Sequence, residues 1–491
     1  MNTPARHSAA LTLLILGSLF LSGCTAPKGD DGEIEPPVIN SEHAAPAPKE
    51  IVVHGTHSRD AAIHDLVAEA QIRLRDVELQ YVFTGTGKNQ VLRGRPVAFA
   101  LWSEAKQEWC IAHIELPRPP IKWKPSGGKP LAFLNLTPGI QARHVEGTGA
   151  ERLMFAFSRD GEPLKVYGRK FPVFDNDLIK HKQWSAVVQT AKPIVYLPFT
   201  EDTFDPVFVS SGKAFLLATA HQAIEDLRLA KVPSTAFRGD LLADVIPPQL
   251  ITTLAVIEQT DDKDYIQKQT LAFDDVLSQY GLKQEEAYRY SVSRANALGP
   301  MQFTNRKGHG TYASVVRRYP AARLDPSFES GATNLLNAMK AAACLLDLNL
   351  AEMRKDIRVA YRANPEVLGI FPVAAYNGGG RNVAKLYRVL TRMNIRLDEL
   401  NRPGAQLAGA SVTCPCIWKT VGSDTRPLTI PKYNNENRWY VQKYQTIVSA
   451  FEARGVVDSI RTNGSAPNSP ELIGLADFPA EASWTSASHA R

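Results

Sequence analysis

The hydrophobic pattern of this 491-residue chain changes its period near residue 200. Before that point the apolar residues stand in short runs separated by Pro and Gly, which is typical of strands. After it they recur every three or four positions, as they do along one face of a helix. The change predicts a multidomain α+β protein, in which a β-rich N-terminal domain over 51–200 precedes a mainly α-helical domain over 205–460.

The β-rich domain is predicted from seven short runs and one helix. A stripe of apolar residues predicts a helix over 58–75, and Asp160-Gly161 predicts a hairpin between two of the runs. Its tryptophans are expected to fill a core rather than to stack on sugars or on a protein partner, although such a partner stays open as an alternative. The predicted strands are 79–84, 91–102, 109–116, 131–136, 153–158, 164–167 and 194–197, and the tryptophans are Trp102, Trp109, Trp123 and Trp184.

Residues 1–24 have the character of an export signal. Arg6 precedes an apolar run over 9–21, which is too short to span a bilayer but long enough for the core of a signal peptide. The following Leu21-Ser22-Gly23-Cys24 resembles the bacterial lipobox, in which the cysteine is lipidated and becomes the new N-terminus. Thr25, rather than an aspartate, follows the cysteine, which in such lipoproteins implies export to the outer membrane. An ordinary cleaved signal with a chance cysteine is the alternative.

Two further segments are predicted to lack a fold of their own. Residues 25–50 contain five prolines and few large apolar side chains, so we expect a flexible tether. Residues 461–491 are rich in Ser, Pro, Asn and Ala, and we expect a disordered tail. The formal charge of +6 is mild and no clustered Lys/Arg stripe is evident, so the sequence does not favour binding to nucleic acid.

One carboxylate, that of Glu258, occupies a place suited to acid–base chemistry. Proline at 247 and 248 suits the start of a helix, because its missing N–H would have no partner there. Ile251, Leu254 and Glu258 then follow at i, i+3 and i+7 on one helical face. An apolar surrounding disfavours the charged form of a carboxylate and raises its pKa, which a general acid near neutral pH requires. By itself this pattern is more often a solvated glutamate at a helix end.

Three later segments, in a fixed order, give Glu258 a context. Ser293-Arg294-Ala295-Asn296-Ala297-Leu298-Gly299-Pro300-Met301-Gln302 resembles the Ser-x-x-Gly/Asn-Ala-x-Gly-Leu-Met-Gln motif of the lytic transglycosylases with a goose-lysozyme-like catalytic domain. Ala375-Tyr376-Asn377-Gly378-Gly379 is similar to the Ala-Tyr-Asn-Gly-Gly motif of that family, and Glu436-Asn437-Arg438-Trp439-Tyr440-Val441 to its Glu-Thr-Arg-x-Tyr-Val motif. The resemblance covers 205–460 and implies a lysozyme-like helical fold there.

The resemblance implies cleavage of the β-1,4 bond between N-acetylmuramic acid and N-acetylglucosamine in peptidoglycan glycan strands. Glu258 would protonate the leaving oxygen and then accept the proton of the C6 hydroxyl, so that a 1,6-anhydro sugar forms without water. Other positions would contact the substrate: Ser293, Met301, Gln302, Tyr376, Asn377 and Tyr440. A muramidase of the same fold, which adds water, and a non-catalytic peptidoglycan-binding scaffold lipoprotein are the alternatives. The enzyme would be lipid-anchored in the periplasm, at the inner leaflet of the outer membrane.

The chain departs from the family pattern after the glutamate. Gln259 stands where the family has Ser, Pro300 replaces Leu, and Phe303 follows Gln302. The connection over 259–292 has 34 residues and is much longer than usual, so we expect an inserted flap beside the cleft. No His/Cys/Asp spacing typical of a metal site occurs, and no cofactor is expected.

Five cysteines occur, and Cys24 is the one assigned to lipid. Cys414 and Cys416 are too close in sequence for an easy bridge to each other. The oxidising periplasm allows pairing, so a bridge from Cys344 to one of them is predicted.

We expect Cys24 to carry acyl chains that hold the protein on the membrane, because several chains anchor firmly where one does not. Fractionation of cells that produce the wild type or Cys24→Ala measures this. The wild type should sediment with the outer membrane and the variant should be released. The same fraction for both proteins would contradict the lipobox prediction.

Overall fold

A computed structural model gives the architecture of the chain. The signal segment with Cys24, the predicted tether and tail, Trp123, Cys414 and Cys416 lie outside the described residues. Among the described residues, no helix combines the length and the apolar character needed to cross a bilayer. The structure describes residues 51–53, 63–117, 135–146, 154–200, 203–293, 296–305, 310–392, 394, 396–397, 417–421, 424–428 and 435–453.

The first half of the described chain forms a curled antiparallel sheet of eight strands. The strands run in the order β1-β5-β4-β9-β8-β7, with β6 beside β5 and β10 beside β9. A separate pair, β2 and β3, lies between β1 and β4 in the chain. The strands are β1 (Ile51–Val53), β2 (Phe83–Thr84), β3 (Val91–Leu92), β4 (Gly94–Ser103), β5 (Glu108–Pro117), β6 (Asn135–Leu136), β7 (Ile140–Glu146), β8 (Met154–Arg159), β9 (Glu162–Val173) and β10 (Lys192–Tyr196).

Most predicted strands are present, and the differences lie in length. The run over 79–84 is strand only at its end, and β9 extends far past the predicted 164–167, because it pairs with three neighbours. β1 and β7 were not predicted. The hairpin at Asp160-Gly161 is confirmed: both residues have positive φ, +54° and +84°, as the tight turn between β8 and β9 requires.

Both faces of the sheet bury apolar side chains. Phe99 contacts Phe155 and Phe157 on one face. On the other face α1 (Ile63–Arg75) packs across β4 and β9, over Trp102 and Trp109. The expectation that the tryptophans fill the core is confirmed for these two and for Trp184, which are all buried.

The second half of the described chain is mainly helical. The helices form one large core around α11, which contacts α4, α6, α9 and α14. They are α4 (Pro206–Leu229), α5 (Leu242–Val245), α6 (Pro248–Gln259), α7 (Asp262–Lys268), α8 (Leu271–Lys283), α9 (Thr311–Arg318), α10 (Phe328–Thr333), α11 (Leu335–Ala351), α12 (Lys355–Ala363), α13 (Pro365–Leu368), α14 (Ile370–Gly378), α15 (Gly380–Arg392) and α16 (Asn435–Ala453), with a hairpin of β11 (Ile417–Val421) and β12 (Asp424–Leu428) before α16. Two earlier helices, α2 (Asn176–Lys180) and α3 (Trp184–Gln189), lie between β9 and β10 and pack in a smaller cluster of their own.

The long connection over 259–292 is not a flap, and that prediction is wrong. Its main helix, α8, buries Phe273, Val276, Leu277 and Tyr280 in the helical core. The charged start of the segment suggested a solvated excursion, but those charges lie mostly on the short α7, and α8 carries only Asp274, Asp275 and Lys283. The apolar stripe of α8 decides its place, since burying such a stripe is what stabilises a helix in water.

α8 also joins the sheet to the helices. Gln279 Nε2 donates to the carbonyl oxygen of Leu197 at 2.8 Å, and the hydroxyl of Tyr196 donates to the Asp275 carboxylate at 3.2 Å. Burial raises the pKa of Asp275 to about 6, against bonds from Gln279 and Tyr196 that lower it. The described residues from 51 onward belong to one compact unit, Ala47–Arg491. The change from strand to helix at 196–206 therefore occurs within that unit.

Cys344 is a free thiol in the middle of α11, so the predicted bridge from it to Cys414 or Cys416 is absent. Its side chain has no exposed surface, and burial raises the pKa of the thiol. A buried thiol of this kind is unreactive and serves as a small apolar side chain.

Two glycines allow α4 and α8 to cross in backbone contact. A Cβ on Gly281 would stand 2.1 Å from the carbonyl oxygen of Phe208, and a Cβ on Gly212 would stand 1.9 Å from that of Leu277. Both distances are far shorter than real contacts, and the obstacle is backbone, which cannot rotate away. The crossing therefore requires glycine on both helices.

We expect Gly281→Ala to lower the free energy of unfolding by about 1–3 kcal/mol, because the methyl group forces two packed helices apart. Alanine in place of glycine within a helix otherwise stabilises by roughly 0.5–1 kcal/mol. Urea unfolding measures the change. The control is Gly380→Ala, whose Cβ meets only the flexible Glu352 side chain at 3.2 Å. A Gly281→Ala protein as stable as wild type would contradict the close crossing.

Candidate active site

Glu258 lies at the end of α6, a helix that is otherwise part of the core. All eight residues from 250 to 257 are buried, and the two that follow them, Glu258 and Gln259, are half-buried. The helix ends at Thr260, whose hydroxyl donates to the carbonyl oxygen of Val256 at 2.7 Å. The core therefore fixes the helix, and the helix carries the carboxylate to the edge of that core.

The structure brings Tyr440 to Glu258 from a helix 182 residues later in the chain. The hydroxyl of Tyr440 donates a hydrogen bond to Oε1 of Glu258. The ring is 6% exposed and is held by α16, which packs on α6 and α14. This contact joins the first and the last of the four sequence segments.

The described residues 291–293 and 296–304, called the loop over 291–304 below, are pinned by their own backbone hydrogen bonds. Leu298 and Phe303 exchange two hydrogen bonds of 2.8 and 3.1 Å, and the hydroxyl of Ser293 accepts from the N–H of Ala297 at 3.0 Å. Gly299 has φ +80°, and a Cβ there would stand 1.9 Å from the carbonyl oxygen of Ala332. Ser293 is half-buried, and its hydroxyl stabilises this loop through the bond from Ala297.

Gln302 and Met301 face opposite ways in the same loop. The half-buried Gln302 donates through Nε2 to the carbonyl oxygens of Gly299 and Ser291, at 2.8 and 3.3 Å. The side chain of Met301 has no exposed surface and packs in the helical core. Met301 therefore reaches the site through its backbone carbonyl rather than through its thioether.

Tyr376 connects this loop to the end of α14. Its hydroxyl donates to the carbonyl oxygen of Met301 at 2.7 Å, and its ring meets that of Phe303 edge to face at 6.1 Å. Asn377 is half-buried on the next position of the helix. α14 ends where Gly379 takes φ +72°, a conformation that glycine adopts without strain.

The two tyrosines are neutral hydrogen-bond donors at physiological pH. Burial, and next the negative charge of Glu258, raise the pKa of both Tyr376 and Tyr440 well above the ordinary value. Both phenols therefore lie within the electrostatic reach of the Glu258 carboxylate. The carboxylate accepts a hydrogen bond from the phenol of Tyr440, while the phenol of Tyr376 is bonded to the carbonyl oxygen of Met301.

Sequence reasoning missed Gln259 as a structural tie. Its side-chain Nε2 donates to the carbonyl oxygens of Pro300 and Gly299, at 2.8 and 3.2 Å. These bonds fasten the end of α6 directly to the loop over 291–304. The departure from Ser at this position was the only available indication, and it does not specify a partner forty residues away.

Lys443 is a second tie that the sequence did not reveal. It lies one turn after Tyr440 on α16 and is 3% exposed. Its ammonium group donates to the carbonyl oxygen of Thr260 at 2.6 Å and pairs with the Asp262 carboxylate at 2.6 Å. A positive charge at the C-terminal end of α6 also suits the helix dipole. Lys443 thus holds α16 and α6 in the register that brings Tyr440 to Glu258.

Within the described part of the chain, no cluster of three or more His, Cys, Asp or Glu side chains could hold a metal ion. The acidic residues after Glu258 have structural partners: Asp261 caps α7 by accepting from the N–H of Lys263, and Asp262 pairs with Lys443. The arrangement offers one carboxylate, two phenol donors and a rigid loop, which suits acid–base chemistry on an uncharged oxygen.

No protein-family model matches the chain, and no curated protein shows significant sequence similarity to it.

We expect Lys443→Met to lower the free energy of unfolding by about 1–3 kcal/mol, because it leaves the Thr260 carbonyl and the Asp262 carboxylate without this partner. Chemical unfolding measures the loss. Lys263→Met, at an exposed position of α7, should change stability by less than about 0.5 kcal/mol.

A double-mutant cycle with Asp262→Asn separates the ion pair from the packing of α16. If the two residues act together, the second substitution costs less once the first is present. Strictly additive losses would contradict the coupling.

Proposed function

We propose that this protein is a peptidoglycan lytic transglycosylase whose helical half is a lysozyme-like catalytic domain related to goose lysozyme. The observation that carries the proposal is the hydrogen bond from Tyr440 to Glu258, which joins two segments far apart in sequence. Each of these two segments also belongs to the sequence pattern that resembles the family. Gln259, the neighbour of Glu258, bonds the loop over 291–304, and Tyr376 bonds the same loop at the Met301 carbonyl oxygen.

The reaction needs one group that is first acid and then base. Glu258, protonated, gives its proton to the oxygen of N-acetylglucosamine as the bond from C1 of N-acetylmuramic acid breaks. The resulting carboxylate then takes the proton of the C6 hydroxyl while O6 bonds to C1. Glu258 ends protonated, ready for the next cycle, and the product is a 1,6-anhydro sugar with no water consumed.

The phenols suit both steps of this cycle. Tyr440 holds one oxygen of Glu258 in place, which fixes the carboxyl plane before the proton moves. Because its pKa is raised, it donates throughout and does not compete as a base. Substrate contacts by Ser293, Gln302, Asn377 and the N-acetyl group are expected from the family resemblance.

A single acidic group also distinguishes this chemistry from glycoside hydrolysis with two carboxylates. A retaining hydrolase needs a nucleophile and an inverting one needs a base placed for water. The nearest acidic residues in sequence, Asp261 and Asp262, are bound to α7 and to Lys443. Because both of these carboxylates already have partners, we favour attack by the C6 hydroxyl of the same sugar over attack by water, as in a hydrolytic muramidase.

The proposal includes the place of action. A lipid on Cys24 would hold the enzyme on the inner leaflet of the outer membrane, with glycan strands as substrate in the periplasm. The sheet would then stand between the anchor and the catalytic helices in the chain order, where a protein partner could bind it.

We expect Glu258→Gln to fold and bind glycan strands but to lose activity by at least about 10²–10⁴-fold, because glutamine keeps the shape and cannot transfer the proton. A digest of purified peptidoglycan, followed by mass spectrometry, measures turnover and product together. Glu285→Gln, at an exposed position, is the matched control and should retain wild-type turnover.

Wild-type products should end in anhydromuramic acid and be one water lighter than lysozyme products. Reducing-end products would instead identify a hydrolase with Glu258 as its acid. Near-normal turnover by Glu258→Gln would remove Glu258 from the mechanism. A wild type that binds strands but releases no product would identify a scaffold protein.

A further inference from the structure

The positive charge of the chain is concentrated in one segment. Residues 354–396 contain nine Lys or Arg and two acidic residues, a net charge of +7, whereas the whole chain carries +6. The expectation that the sequence holds no clustered basic stripe is therefore wrong. The cluster was missed because the Ala-Tyr-Asn-Gly-Gly segment interrupts it.

α12 and α15 bring this charge onto one surface. The hydroxyl of Tyr387 on α15 donates to the Asp356 carboxylate on α12, and the guanidinium group of Arg354 lies 4.8 Å from the Tyr387 ring. The side chains of Arg354, Lys355, Arg388 and Arg392 are exposed. These four residues are called the basic face below.

The sequence of α15 explains why Arg388 and Arg392 are exposed. Val383, Leu386 and Leu390 are buried in the helical core at i, i+3 and i+7. Basic residues recur at 381, 385, 388 and 392, which is the spacing of one helical face. Repulsion within such a row is unfavourable unless an anion offsets it.

The groups that oppose this charge are few. Asp356 pairs with Arg354, and Glu352 lies near the start of α15. The other arginines of α12 are used within the fold: Arg358 donates to the carbonyl oxygen of Ala236, and Arg362 pairs with Asp240 at 2.9 Å. The basic face therefore keeps a positive excess after its internal pairs are taken into account.

The basic face follows the candidate active site along the chain. α14, which carries Tyr376, ends at Gly378, and α15 starts at Gly380. From there α15 runs for about 20 Å. A polymer bound with its scissile bond at Glu258 extends to either side of it, so its neighbouring units are the parts that this helix would meet.

We propose that the basic face binds the carboxylates of the peptide stems that branch from the glycan strand. The inference rests on the proposed function, because it takes the strand in the site to be peptidoglycan. Sugars of the strand are neutral apart from their stems, so the stems are the part that complements Arg388 and Arg392.

The experiment measures binding in the Glu258→Gln background, so that no strand is cut. Glycan strands of one length are titrated at low and high salt, either with stems or stripped of them by an amidase and then amidated at the lactyl carboxylate that the amidase exposes. Arg388→Gln/Arg392→Gln removes two charges from the basic face. Lys106→Gln/Arg143→Gln removes two exposed charges from the sheet and is the matched control.

The parent should bind stem-bearing strands more tightly than stripped ones, and high salt should abolish the preference. The Arg388/Arg392 variant should lose about threefold to tenfold in affinity for stem-bearing strands only, as expected for two exposed ionic contacts. The sheet control should keep the preference. Equal losses on both strands, or no loss, would overturn the proposal.

Two further readouts separate this inference from its rivals. Loss of binding to vesicles rich in anionic lipid, with the stem preference unchanged, would assign the face to a membrane surface instead. The mass of the wild-type products tests the proposed reaction independently. A stem preference that depends on Arg388 and Arg392 supports the basic face even if no anhydro product forms.

Discussion

The last turn of α6 is the point on which the rest of the structure depends. Its carboxylate is useful only if its position is fixed, and three contacts with distant segments fix it: Tyr440 bonds Glu258, Gln259 bonds the loop over 291–304, and Lys443 bonds the helix end. Burial of the preceding two turns supplies the rigidity, since a packed interior leaves a helix no room to rotate. Flexibility near Glu258 would loosen all of these contacts together.

The long insertion has a different role from the one its charges suggested. α8 lies in the helical core, where Gln279 and Asp275 hold the last strand of the sheet. The sheet is thereby attached to the helical half through the segment over 259–292 itself. A direct contact reaches the motif loop as well, from Asn176 Nδ2 to the carbonyl oxygen of Ser293 at 3.3 Å. The sheet is thus part of the surroundings of the candidate site.

The sequence predicted those features that depend on local pattern. The period change located the sheet and the helices, Asp160-Gly161 gave its turn, and Pro248 gave the start of α6 within a residue. Features that depend on partners distant in sequence were not accessible. Gln259 and Lys443 are unremarkable as residue types, and only the fold gives them their carbonyl and carboxylate partners. Met301 lay in the right motif, yet the pattern could not show that its side chain points inward. The charges at the start of the segment over 259–292 also favoured a solvated flap, because the sequence does not show which face of α8 is covered.

The backbone contact between α4 and α8 has an evolutionary consequence. Glycine at 212 is needed only because α8 is present, and glycine at 281 only because α4 passes so closely. Neither residue has a reason to persist without the other. In relatives of this chain, the two positions should therefore change together, and a relative that lacks the insertion is free to place alanine in α4. In an alignment, glycine at both positions would identify chains that contain the segment over 259–292 more clearly than the length of the connection does.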